Sequence, residues 1–141
     1  MYFALIPDKK SKADLVSLVQ DPLEEFHLTM LFSPDRETRI PPEEVQALLT
    51  GTPPPAVVNG LHNFGPANRK VWALSLIPFV GAYSWLVPLR QRCEELLTKY
   101  GIPWDKTWLF NPHLTISKRD GITLHHALPE QLNFDRIELR Y

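Results

Sequence analysis

The chain has 141 residues, 44% hydrophobic and 22% charged, which suits one globular domain with a buried core and leaves little room for two. Its formal net charge of −1 argues against broad binding along long duplex nucleic acid, while a small anionic partner stays compatible. No apolar stretch approaches a membrane span, and the single Cys93 rules out a disulfide framework and a Cys-based zinc site, so a soluble protein of the reducing cytoplasm is expected.

In chain order, the first strand signal is the apolar run around Phe3-Ala4-Leu5. Ser11 is placed to cap a helix whose apolar positions are Leu15, Val16, Leu18 and Val19, and Asp21-Pro22 ends it. Phe26-His27-Leu28-Thr29-Met30 alternates apolar and polar residues, the period of a half-buried strand. A helix over 42–49 follows, with Pro42 in its first turn and Glu43 and Glu44 favouring its N-terminal dipole. Gly51 closes it, Thr52-Pro53-Pro54-Pro55 connects, and Ala56–Leu61 forms another strand.

Trp72-Ala73-Leu74 then repeats the apolar opening, preceded by the basic pair Arg69-Lys70, which reads as solvated. Leu86, Leu89, Cys93, Leu96, Leu97 and Tyr100 keep helical spacing, with Gly101 and Pro103 as stop signals. Pro112-His113-Leu114-Thr115-Ile116 alternates as the earlier strand does, and Leu132–Leu139 supplies a last strand. The chain thus divides into half-repeats at about 1–66 and 67–141, each reading β-α-β-(α)-β. This order predicts an α+β domain of two antiparallel sheets, with helices on the outer faces and the two His-Leu-Thr strands facing each other across a central cleft.

Two His-x-Thr matches are notable because chance would supply roughly 0.3 in a chain of this composition. Alternate strand residues share a face, so each motif presents an imidazole and a hydroxyl together. In-line cleavage of a phosphodiester needs a base near the attacking oxygen and an acid near the leaving one. His27 and His113 supply that pair, each at about 10²–10⁴ in rate. Thr29 and Thr115 can donate to the non-bridging oxygens as charge develops there, about 3 kcal/mol for such a donor. Ser33 and Ser117 share the strand parity of their histidines and extend the polar lining.

Phe26–Met30 and Asn111-Pro112-His113-Leu114-Thr115-Ile116-Ser117-Lys118 resemble the paired His-x-Thr motifs of the 2H phosphoesterase superfamily, which includes the 2′,5′ RNA ligase-like proteins and cyclic phosphodiesterases. The resemblance extends over essentially the whole chain. It implies a bilobal fold with pseudo-twofold symmetry and cofactor-free, metal-independent chemistry on 2′,3′-cyclic phosphates or other small ribonucleotide phosphodiesters. His27, Thr29, His113 and Thr115 are the residues it carries over. Lys118 stands where many relatives have a basic residue, although simple alternation puts it on the face opposite His113.

Some phage proteins that resemble this family destroy cyclic oligonucleotide messengers of bacterial immunity, a role a compact chain would suit. The other readings are a nucleotide-binding module without turnover and an RNA-end ligase or transferase. Trp104 and Trp108, ahead of the second motif, and Tyr2 and Trp72, on the opening strands, are candidates to stack bases at roughly 1–3 kcal/mol each. His62 and the adjacent His125-His126 lack metal-ligand spacing and read as surface residues.

Overall fold

The computed structural model describes residues 1–67, 70–77, 85–107 and 109–141. In chain order its elements are β1 (Tyr2–Pro7), α1 (Lys9–Leu18), β2 (Leu28–Phe32), α2 (Pro42–Gln46), β3 (Ala56–Phe64), β4 (Val71–Leu76), α3 (Leu86–Lys99), β5 (His113–Ser117), β6 (Gln131–Leu132) and β7 (Phe134–Arg140). Among the described residues, no helix is long and apolar enough to cross a membrane.

The strands pair antiparallel in one seven-stranded sheet of order β6-β3-β4-β5-β2-β1-β7, so the fold is α+β. Two facing sheets were expected, and this is the main correction. Leu28 of β2 pairs with Leu114 of β5, which makes the two motif strands hydrogen-bonded neighbours and fuses the halves into a single sheet. The reason is backbone satisfaction: kept apart, β2 and β5 would each present an edge of unpaired amide and carbonyl groups in the middle of the protein.

One face of this sheet is covered. Phe3, Leu5, Leu28, Leu74, Leu114, Ile116 and Ile137 share a buried cluster with Leu15 and Leu18 of α1 and Leu89, Cys93 and Leu97 of α3. Burying such a side chain contributes about 1.5–3 kcal/mol, which is why the amphipathic helices stay on that face. α3 follows its apolar spacing and stops where Gly101 turns left-handed at φ 67°. α2 ends at Gln46, short of the expected 49.

Asp8, rather than Ser11, caps α1: its carboxylate accepts from the Ser11 amide at 2.8 Å. Ser11 is buried one turn in, where its hydroxyl accepts from the Asn133 amide at 2.8 Å. Asn133 also accepts from the Asp8 amide at 2.8 Å, and this double tie separates β6 from β7 within what alternation had suggested was one strand. Val16 faces solvent, 41% exposed, and leaves Leu15 and Leu18 to anchor the helix.

The two halves share one irregularity. Phe3 pairs with Leu31 but Ala4 with Thr29; Trp72 pairs with Ser117 but Ala73 with Thr115. An extra residue therefore stands in each motif strand directly after its threonine, Met30 in β2 and Ile116 in β5. A bulge of this kind bends the strand and breaks its alternation. Met30 and Leu31 are consecutively buried, as are Ile116 and Ser117.

Candidate active site

Leu28 and Leu114 point into the core, fully buried, so the residues beside them point to the opposite face, which no helix among the described residues covers. One step either way along this antiparallel pair sets His27 beside Thr115 and Thr29 beside His113. The four polar side chains form a small square with imidazoles at one pair of opposite corners and hydroxyls at the other. Side chains on such a diagonal lie roughly 7–8 Å apart at Cα, within reach of one phosphate group. The motifs meet side by side on one sheet instead of across a gap between two.

Small residues make the floor. Ala4 lies across from Thr29 and Ala73 across from Thr115, both fully buried. Aromatic rings make the walls. The Tyr2 ring lies 5.3 Å from that of His27, and Phe64 stacks on His113 with centroids 4.8 Å apart and planes at 27°. Phe64 pairs with Val71 and His113 with Ser75, positions that a flat sheet would hold about 13 Å apart along the strands. Side chains from such distant rows meet only where the strands between them twist and bend, as bulged strands do.

The His113 ring is oriented by the backbone: its Nδ1 lies 2.8 Å from the Asn111 carbonyl oxygen, to which it donates. Its Nε2 is then the nitrogen left for chemistry, an acceptor in the neutral ring and a donor in the cation. His27 differs. Burial and then the charge of Arg140 hold its imidazole below the usual value of 6.5, with Lys118 and His113 adding to the effect and Glu25 opposing it. His27 is accordingly neutral at pH 7.

Lys118 is a correction with a clear cause. The extra residue in β5 turns it over, so that it lies on the His27 side and its charge acts on that ring. The same bulges remove Ser33 and Ser117 from the lining. Ser33 is buried, its hydroxyl donating to the Pro103 carbonyl and accepting from the Asp35 amide at 3.2 Å. Ser117 is buried on the helix face, where it accepts from the Arg119 amide at 3.2 Å.

Of the aromatic candidates among the described residues, Tyr2 alone stands at the histidines. Trp72 pairs with Ser117 on the helix face and donates to the Asp120 carbonyl at 3.3 Å. Trp104 packs along α3 in a groove with Gln91, Glu95 and Thr98, under the Lys106 ammonium at 5.2 Å. Trp108 and Arg69 lie outside the described residues. His62, His125 and His126 are all exposed, as expected, and His62 stands on β3 with its ring 5.7 Å from that of Phe64. It pairs with Ala73, in the row of Thr115, so it borders the site.

Phe64 and Arg140 escaped sequence reading. Each reaches its histidine through strand pairings with distant segments, and neither sits in a motif. Among the described residues, no three His, Cys, Asp or Glu side chains are grouped to hold a metal ion. The chain matches no protein-family model and no curated protein.

Proposed function

We propose that this protein is a two-histidine phosphodiesterase of the 2H phosphoesterase type, acting without a metal on a small cyclic or short ribonucleotide phosphodiester. The single sheet would then be the joined form of that family's two lobes, with the pseudo-twofold axis passing between Leu28 and Leu114. The observation that carries the reading is this one pairing, because it brings both His-x-Thr motifs onto one face in opposite senses. The shared bulge after each threonine adds to it.

In this reading neutral His27 takes the proton from the attacking hydroxyl or water. His113, its Nδ1–H held by the Asn111 carbonyl, delivers a proton from Nε2 to the leaving oxygen. Thr29 and Thr115 donate to the non-bridging oxygens, and Lys118 offsets the charge that gathers on them. Tyr2 and Phe64 offer ring faces and edges to a base.

The deciding experiment is incubation with 2′,3′-cyclic mononucleotides, 2′,5′-linked oligonucleotides and cyclic di- and trinucleotides, with and without EDTA, read by mass spectrometry. Products that together weigh one water more than the substrate, formed whether or not EDTA is present, are expected from at least one class. Binding with every ligand returned unchanged would make the protein a binding module, a linked product would make it a ligase or transferase, and EDTA-sensitive cleavage would remove the metal-free mechanism.

A further inference from the structure

Arg140 lies on β7 directly across from Tyr2. Its Nη2 donates to the Glu25 carboxylate and lies 3.4 Å from a Glu138 oxygen, and the cross-strand pairing sets Tyr2 beside it on the same face of the sheet. Those neighbours come from β1, from the segment just before His27 and from β7 itself. The side chain is only 22% exposed. A guanidinium held between two carboxylates and set beside a tyrosine has little freedom to follow a substrate. Its influence passes through what it backs, the Tyr2 ring, which lies 5.3 Å from the His27 ring, and through its own fixed charge.

We propose that Arg140 is a positioning residue of this site: tied to Glu25 and paired across the strands with Tyr2, it backs the tyrosine ring against His27 and keeps a cation beside that imidazole, which makes His27 the proton acceptor of the histidine pair. The catalytic clause rests on the two-histidine reading; the effect of Arg140 on His27 does not.

The groups acting on His27 can be named from every side. Arg140 from β7, Lys118 beyond β5 and His113 on β5 disfavour a proton there, as burial does, while Glu25 favours one. Tyr2 of β1 packs on the ring, and Glu138 stands behind Arg140. A cation next to an imidazole disfavours a second positive charge, and a carboxylate does the reverse. Arg140 and Glu25 therefore pull His27 in opposite directions from the two ends of one ion pair.

The test is an NMR titration of the His27 ring in the whole protein, in Arg140→Gln and in Glu25→Gln. The midpoint is expected to rise by roughly 0.5–1 pH unit in R140Q and to fall in E25Q. A purely structural role for the arginine would not produce opposite signs. R140K, which keeps the charge but loses the planar fork, should keep the midpoint near that of the parent while altering the His27 ring shifts as Tyr2 loosens.

An unmoved midpoint in R140Q, or movement in the same direction in R140Q and E25Q, overturns the proposal. If R140Q does not fold, E25Q decides, since it removes a charge from an exposed segment outside the sheet; a midpoint that does not fall there overturns it equally. Kinetics on 2′,3′-cyclic mononucleotides separates the two claims. The acidic limb of kcat/KM should follow the NMR midpoint. Midpoints that move as expected with no turnover of any substrate leave the action of Arg140 on His27 standing and remove the two-histidine reading, whereas turnover whose acidic limb ignores the midpoint removes His27 as acceptor.

Discussion

Phe64 stacks on His113, 4.8 Å between ring centroids, and does for that imidazole what Tyr2, at 5.3 Å, does for His27. Stacked pairs at this separation contribute about 0.5–1.5 kcal/mol beyond the area they bury, and they also narrow the angles a ring can adopt. Each candidate catalytic ring thus has an aromatic neighbour from another strand, and His113 has a backbone carbonyl as well.

Phe64→Ala should therefore lower stability by about 1–3 kcal/mol, less than a fully buried phenylalanine, because the side chain is only partly covered. It should also lower kcat by about tenfold through a loosened His113, as small misplacements of reacting groups are costly. Denaturant unfolding and steady-state kinetics check the two effects separately. A kcat equal to that of the parent would mean that the Asn111 carbonyl alone orients His113.

Replacing either His27 or His113 with Ala should reduce turnover by about 10²–10⁴ while lowering stability by only about 1 kcal/mol, the size of one aromatic ring contact. The double variant should lose far less than the product of the two, because the residues act as one unit. Activity within about tenfold of the parent in either single variant would be too much for a missing general acid or base.

The pH dependence of stability follows from His27. Its pKa is lowered in the folded protein, by burial first and the Arg140 charge second, so below the ordinary value of 6.5 the unfolded chain binds a proton more readily than the folded one. The corresponding stability is present above 6.5, is lost as pH falls from there through the folded-state value, and is constant below it. The slope it adds is at most about 1.4 kcal/mol per pH unit. His27→Gln should flatten that part of the profile in denaturant unfolding between neutral and mildly acidic pH; an unchanged slope would place His27 in a different environment.

Ser33 and Lys118 should behave in opposite ways. Ser33→Ala leaves the partly buried Asp35 amide without its partner, so about 1 kcal/mol of stability should go while kcat and KM stay put. Lys118→Ala should leave unfolding unchanged and raise KM about fivefold at low salt, the effect of about 1 kcal/mol of exposed charge attraction, fading as salt is added. A kinetic defect in the serine variant, or none in the lysine variant, would show that the bulges do not sort these side chains as described.

Some of this was legible in local pattern alone. Alternation around His27-Leu28-Thr29 and His113-Leu114-Thr115 identified two strands and the face that each His shares with its Thr, because neighbours along a strand decide that between themselves. The spacing of Leu86, Leu89, Cys93, Leu96 and Leu97, closed by Gly101, likewise sufficed for α3, since a helix bonds within its own segment. Even the correspondence of Phe3-Ala4-Leu5 with Trp72-Ala73-Leu74 was visible, and both triplets pair with their motif strands in the same register.

Alternation, however, assumes an unbroken strand. Met30 and Ile116 are extra only relative to the partner strands, so nothing within β2 or β5 announces that Ser33 and Ser117 turn inward and Lys118 turns out. The joining of the halves at Leu28 and Leu114, the stacking of Phe64 and the placement of Arg140 beside Tyr2 likewise depend on hydrogen bonds between segments far apart in the chain. Periodicity is a property of adjacent residues and could be read from the order of the amino acids; register is a property of two strands at once, and only the folded sheet decides it.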